Sequence, residues 1–283
     1  MVKVLGLVGS RRLDGNSRVI VDTCLEVLKN CGFVTELIFL NELKLERCKG
    51  CLSCVYKGGC SIKDDMEILV PKIVESAGLI VAAPTYIFSP AAVIKTLIDR
   101  CMMITPYLDT LAPRKRYAVC LSIAGNPAWN PLGLVQVNQL ALGYGYKIIA
   151  GREIYAAAPG EVILQEAVLE EVKALGQRLA DSLQGKSCPF PVSPVKCPFC
   201  NNQVFKIKAD NKVQCVTCGT EGELDSDGDH CKIKFAAPDH SFFLLSRRKE
   251  HVEGWMTDSR VKFLKNRAEI QDKLKQQGRK YKI

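Results

Sequence analysis

The chain has 283 residues, is 47% hydrophobic and carries a formal charge of +9, so it is long enough and apolar enough for one packed domain with appendages or for two domains. No stretch approaches the roughly 20 apolar residues of a membrane span, and the apolar part of MVKVLGLVGSRR is too short for a secretory leader, so no membrane is expected and the location is read as cytoplasmic. Fourteen cysteines in a reducing compartment point to ligation rather than to a disulfide framework, and to an anaerobic or reducing cell.

Val4 to Val8 is a short apolar run, Gly9 and Ser10 follow it, and Ser17 to Cys31 has helical spacing through Ile20, Val21, Cys24, Leu25 and Leu28. That is strand, loop, helix. Val34 to Leu40 predicts a second strand, followed by a cysteine-rich loop and a helix from about Asp65 to Ser76. Gly78 to Ala83 predicts a third strand, ended by Pro84. A helix from Ala91 to Met103, a strand from Tyr117 to Ile123, a helix from Leu132 to Leu142, a strand from Lys147 to Ile154 and a long amphipathic helix from Glu161 to Leu183 continue the alternation. Five nearly continuous apolar strands alternating with helices predict an α/β fold with a parallel sheet covered on both faces, doubly wound.

Residues 1–185 are thus expected to form one domain. Pro189, Pro191 and Pro194 make 186–196 a stiff linker. In 197–235, Cys197, Cys200, Cys215 and Cys218 give C-x2-C-x14-C-x2-C with two short strands joined at Ala209 to Lys212. This spacing predicts a zinc ribbon with four thiolate ligands, a metal standing in for a core that so short a segment cannot build. A rubredoxin-like iron is the rival, disfavoured by the missing C-x-x-C-G form in the first knuckle and by the short gap between knuckles. The tail, 236–283, is basic: residues 241–283 hold twelve Lys or Arg against five Asp or Glu. Two helices are predicted in it, with Val261, Leu264, Ala268 and Leu274 on a stripe expected to pack on the protein itself. No RNA-binding motif accompanies the charge, and nucleic acid is not expected as a partner. Of the three histidines, His230, His240 and His251, none is spaced to form a nucleophile pair.

Two segments carry chemistry. The loop GSRRLDGNSR after the first strand suits an anion: Ser10, Asn16 and Ser17 are short donors, Arg11 and Arg12 supply charge, and Gly9 and Gly15 let the backbone curl around a phosphate at a helix N-terminus. It is neither a dinucleotide fingerprint nor a Walker A loop. The second segment, Cys48, Cys51, Cys54 and Cys60, has the spacing C-x2-C-x2-C-x5-C with Gly50, Gly58 and Gly59 allowing tight wrapping. It can place four thiolates around one [4Fe-4S] cluster, with a cluster-free redox loop and a zinc site as the alternatives.

The phosphate loop resembles that of the NADPH-dependent FMN reductase and flavodoxin-like family, as does the segment PTYIFSPAAVIKTLIDR from Pro84 to Arg100. The resemblance implies a flavodoxin-like fold with FMN, its ring lined by Pro84, Thr85, Tyr86 and Ile87, and a third loop at Ala124, Gly125 and Asn126. The cysteine spacing with Asp64 and Asp65 behind it is similar to the compact motif of the iron-sulfur flavoproteins, over about residues 1–185. That resemblance implies an oxidoreductase passing electrons between a [4Fe-4S] cluster and FMN, with a ferredoxin-like or NAD(P)H donor, a small-molecule substrate and a homodimer or homotetramer. The cofactor carries such chemistry, so no catalytic acid or base is singled out. The alternatives are an NAD(P)H-dependent FMN or quinone reductase without a cluster, and a non-catalytic electron carrier or redox-sensing scaffold.

Overall fold

The computed structural model describes residues 2–186, 193–227, 230–239 and 241–278. Most of the expected linker, Cys188 and His240 lie outside the described residues, as does the side chain of His230.

The first strand, β1 (Lys3–Val8), is buried from Val4 onward and leads through the phosphate loop into α1 (Asn16–Asn30) and β2 (Val34–Phe39). A 3-10 turn, the cysteine loop with its short helix α2 (Ser53–Tyr56), and α3 (Met66–Glu75) follow. Then come β3 (Gly78–Tyr86), the two-residue β4 (Ser89–Pro90), α4 (Ala92–Asp99) and a 3-10 segment leading to α5 (Leu108–Leu111). The domain continues with β5 (Tyr117–Ala124), α6 (Gly133–Gly143), β6 (Lys147–Tyr155) and α7 (Glu166–Leu183).

Five strands pair in parallel in the order β2-β1-β3-β5-β6, with β4 added to β3 antiparallel. This is the predicted flavodoxin-like sheet, and both of its faces are covered. One face packs Val4, Val8, Ile80 and Leu121 on residues of α1 and α7 such as Leu25 and Leu179. The other packs Leu5, Leu7, Val81 and Cys120 on α3, α4 and α6. Double burial explains the continuous apolar strands. It also accounts for two lone thiols: Cys24 and Cys120 are fully buried core residues, and burial pushes Cys24 up to about 12 and raises Cys120 further.

Pro84 does not end the third strand. β3 runs on to Tyr86, because β1 stops at the Val8–Ala82 pair while β5 still pairs through Pro84–Ile123. Pro84 turns its carbonyl toward the N–H of Ala91, 2.9 Å away, so its missing N–H faces the edge that β1 has left and not β5. Two predicted helices are also shorter than expected, each trading a turn for 3-10 structure, at Cys101–Tyr107 and Glu161–Leu164.

Beyond the linker, a second sheet has the order β10-β9-β8-β7, all antiparallel. Its strands are β7 (Phe205–Ile207), β8 (Lys212–Cys215), β9 (Glu221–Asp227) and β10 (His230–Phe235). Only the first hairpin was predicted. Cys197, Cys200, Cys215 and Cys218 are buried in the same core as Val137, Leu140 and Tyr144, and Asn138 Nδ2 of α6 donates to the Cys200 carbonyl at 3.0 Å. The tail is one nearly continuous helix: α8 (Leu245–His251), a π-turn (Val252–Met256) and α9 (Thr257–Gln276). It is anchored by Arg248 and Met256, both buried. The predicted stripe does not pack on the protein: Val261 is 62% and Leu264 53% exposed, and α9 buries none of its residues. With a Lys or Arg next to each of its residues, the stripe is too narrow to hold the helix against the body.

Candidate functional site

In a sheet of this order the crossovers from β1 and β3 leave in opposite directions, which opens a crevice at the carboxyl ends of the strands. Ser10, Arg12, Gly15, Asn16, Ser17, Pro84, Thr85, Tyr86 and Gly125 line that crevice, joined by Ile123, Ala156, Ala157 and Pro159. Residues from four separate loops therefore converge. Ala156 to Pro159, after β6, were missed from sequence, where small apolar residues carry no signal.

The phosphate end is built on α1. No side chain caps this helix, so its first N–H groups remain available to an anion. Gly15 is the cap residue, and a Cβ there would stand 3.0 Å from Arg12 Cβ and 3.2 Å from the Arg12 carbonyl. Ser10 Oγ accepts the Arg12 N–H at 3.1 Å, which curls the loop. Asn16 has a different task from the expected one. Its Nδ2 donates to the carbonyls of Ala156 (3.2 Å) and Ala158 (2.9 Å), and its Oδ1 accepts from Val162 N at 3.0 Å. It staples the loop after β6 to the phosphate loop and leaves only its backbone for a ligand. Arg11 lies outside the crevice, beside Leu13, Phe39 and Asn41.

The ring end lies on β3 and β5. Thr85 Oγ1 and Ser122 Oγ are 2.9 Å apart, and both donate to Asn130 Oδ1, at 2.6 and 3.1 Å. This cluster rests on Gly133 at the start of α6, where a Cβ would collide with all three side chains. Tyr86 is 58% exposed at the rim and Ile87 86% exposed beyond it. Ile87 and Phe88 both have positive φ, 44° and 66°, as a two-residue hairpin between Tyr86 and Ser89 requires. Asn126 caps a short 3-10 turn by accepting the Ala128 N–H at 2.9 Å. An uncapped helix N-terminus beside Arg12, with an aromatic rim and small residues between, fits a phosphorylated aromatic cofactor such as FMN.

Cys48, Cys51, Cys54 and Cys60 share a loop between β2 and α3. Cys48 and Cys51 are exposed, and Cys54 and Cys60 are half-buried. Burial first, then the neighbouring Cys60, Cys48 and Cys51 thiols, push Cys54 up to about 11. The four lie on one stretch of thirteen residues, 48–60. Left-handed backbone at Gly50, Leu52 and Gly58 wraps the loop. Gly50 N–H and Ile62 N–H each donate to a cysteine sulfur, Cys48 and Cys60 respectively, at 3.4 Å, and Cys51 Sγ lies 3.2 Å from Ser61 Oγ. Donors aimed at sulfur suit thiolates that carry a cluster.

Asp64 and Asp65 hold the loop's entrance. Asp64 accepts from Glu46 N (2.7 Å), and Asp65 from Lys44 N (2.6 Å). Arg100, from the end of α4, pairs with Asp64 and donates to Cys60 Sγ at 3.3 Å. Sequence spacing could not reveal that contact across forty residues.

Cys197, Cys200, Cys215 and Cys218 form the one group among the described residues whose ligand atoms all lie within 4.8 Å of one another. All four are buried, with Cys200–Cys215 at 3.3 Å and Cys197–Cys218 at 3.5 Å. Hydrogen bonds from the other three hold Cys197 down, whereas the same contacts push Cys200 up. A cation at the centre removes the repulsion that keeps such thiols from ionising together, so the set fits one tetrahedral metal ion. The sulfurs of Cys48, Cys51, Cys54 and Cys60 do not form such a group.

Residues 2–129 match the model of the family described as NADPH-dependent FMN reductase. An iron-sulfur flavoprotein of Methanocaldococcus jannaschii is 36% identical over 189 residues, 64% of this chain and 96% of that protein. One of Archaeoglobus fulgidus is 28% identical over 185 residues, 65% of this chain and 82% of that protein. A solved structure named flavone reductase superposes with a TM-score of 0.76 at 19% identity, covering 100% of this chain and 99% of its own, and so shares the fold including the second sheet and tail. No helix among the described residues is long and apolar enough to cross a membrane. A flavin-type crevice, two cysteine sets and a relative matched along nearly its whole length place the chain among the iron-sulfur flavoproteins, FMN-dependent oxidoreductases of the flavodoxin-like superfamily.

Proposed function

We propose that the protein passes electrons between a [4Fe-4S] cluster held by Cys48, Cys51, Cys54 and Cys60 and an FMN seated in the crevice, and so reduces or oxidises a small molecule at the exposed flavin face. The observation that carries this reading is the cysteine loop itself: four thiols on one short loop, with backbone N–H groups turned toward two of the sulfurs. The cluster supplies one-electron steps and FMN converts them to two-electron chemistry.

The chain's own residues do the rest. The N–H groups of Asn16 and Ser17 with Arg12 hold the phosphate, the backbone of Pro84 to Tyr86 and the loop at Gly125 border the ring, and Tyr86 limits access to it. Domain boundaries at 185 and 197 follow from this division, with the second sheet as a zinc-bearing module that braces α6. The electron donor is a ferredoxin-like protein or NAD(P)H.

The test is anaerobic purification with flavin, iron, sulfide and zinc measured per chain, followed by turnover with a chemical reductant, with NADPH and with a reduced ferredoxin. About four irons, four sulfides, one FMN and one zinc are expected. Electron-poor alkenes, including flavones, belong among the substrates tried, given the name of the protein that shares the whole architecture. Flavin with no iron and rapid NADPH oxidation would favour the cluster-free reductase instead.

A further inference from the structure

Arg100 stands at the C-terminal end of α4, with its side chain 1% exposed and that of its partner Asp64 0% exposed. Nη1 donates to Asp64 Oδ2 and to the Glu46 carbonyl, the latter at 3.1 Å, while Nη2 donates to Cys60 Sγ at 3.3 Å. Asp64 spends its oxygens on the N–H groups of Glu46 (2.7 Å) and Met66 (3.3 Å) as well as on Arg100. The pair is therefore an oriented dipole, fixed in a buried place, with its positive end on one cluster ligand. Other cations near the loop are in solvent: Lys63, for instance, is 80% exposed and engaged with Glu67, so its field is screened.

We propose that Arg100 sets the reduction potential of the cluster through Cys60. This rests on the reading of Cys48, Cys51, Cys54 and Cys60 as cluster ligands. An added electron spreads onto the thiolates, and a charged hydrogen bond in a low-dielectric setting stabilises that added charge. Hydrogen bonds to sulfur and net local charge are the levers that tune such potentials. Removing Arg100 makes the cluster harder to reduce. Removing the charge of Asp64 leaves the guanidinium uncompensated and makes the cluster easier to reduce.

The test uses the full chain purified anaerobically, with iron and sulfide counted and the reduced cluster followed by electron paramagnetic resonance in a potentiometric titration. Arg100→Gln is expected to retain about four irons and to lower the reduced-to-oxidised ratio at the wild-type midpoint about tenfold, a shift of about 59 mV for one electron. Asp64→Asn is expected to move the midpoint in the opposite direction, and Arg100→Lys to fall between wild type and Arg100→Gln. A merely structural ion pair would give no opposed shifts. If Arg100→Gln loses its iron, Arg100→Lys and Asp64→Asn decide by the same opposed signs. Midpoints unchanged or moved in the same direction, in protein that holds its iron, overturn the proposal. Wild-type protein without iron overturns the cluster reading beneath it, a result separable from the first by the metal count.

Discussion

The guanidinium of Arg248, 0% exposed, donates from Nη1 to the carbonyl of Gly143 at 2.6 Å. Gly143 ends α6, where unpaired carbonyls and the helix dipole favour a cation. Among the described residues this buried contact, stacked against Phe242 at 4.7 Å, is a main attachment of the tail to the flavin domain. Burial lowers the Arg248 pKa, and its Nε and Nη2 have no hydrogen-bond partner, so the charge is held at a cost.

Arg248→Ala removes both the hydrogen bond and the packing, and is expected to cost about 2–5 kcal/mol and to open the tail to proteolysis. Arg248→Met fills the site without a charge and should cost markedly less. Urea midpoints and limited proteolysis compare them, and equal losses in both variants would argue that the charge itself holds the tail.

The Arg100–Asp64 pair makes stability depend on acid. Burial alone raises Asp64, but hydrogen bonds from Arg100 and Glu46 N–H outweigh it and hold the carboxyl below its ordinary value of 3.8. A depressed folded pKa means the contribution is present above 3.8 and is lost as pH falls below it toward the folded value. Asp64→Asn is expected to cost about 3–5 kcal/mol at neutral pH. Its deficit relative to wild type should shrink as pH falls below 3.8. Urea midpoints measured from about pH 6 down to about pH 2 check the narrowing, and a constant deficit would contradict it.

Gly133 lies under the Thr85–Ser122–Asn130 cluster with no room for a methyl group. Gly133→Ala is expected to cost about 1–3 kcal/mol through overpacking, and to weaken flavin retention by displacing Thr85 at the ring end. Thermal unfolding with flavin fluorescence on dilution measures both effects.

The ribbon metal is expected to be structural for the whole chain, because its ligands share a core with Leu140 and Tyr144. Cys215→Ser should lose about one zinc per chain, leave iron and flavin content intact, and lower the melting temperature. Loss of iron together with zinc would indicate that the two cysteine sets are not independent.

At the hairpin tip, Ile87 and Phe88 hold a backbone that suits Asn-Gly far better. The double change Ile87→Asn with Phe88→Gly should stabilise the protein by about 1–3 kcal/mol. If the apolar tip meets the substrate, the same change should raise KM with little effect on flavin reduction. Steady-state and single-turnover kinetics separate the two.

The alternation of strands and helices was legible because burial on both faces writes itself as unbroken apolar runs such as Gly78 to Ala83. The hairpin of β9 and β10 was not, since Glu221–Asp227 has almost no apolar residues to alternate and forms because β8 offers an unpaired edge. Pro84 misled for a related reason: whether a missing N–H matters depends on which neighbour stands beside it.

The local constellations were legible in the sequence. The first cysteine set, each C-x-x-C knuckle, the phosphate loop and the Pro-Thr-Tyr segment are short stretches, and residues so close in sequence have little choice about proximity. What only the tertiary structure decided is which distant groups meet them. Asn16 is taken up by the loop after β6, Arg100 reaches Cys60 from α4, and the second sheet packs on α6. These contacts depend on strand order and crossover direction, which no short window of residues encodes.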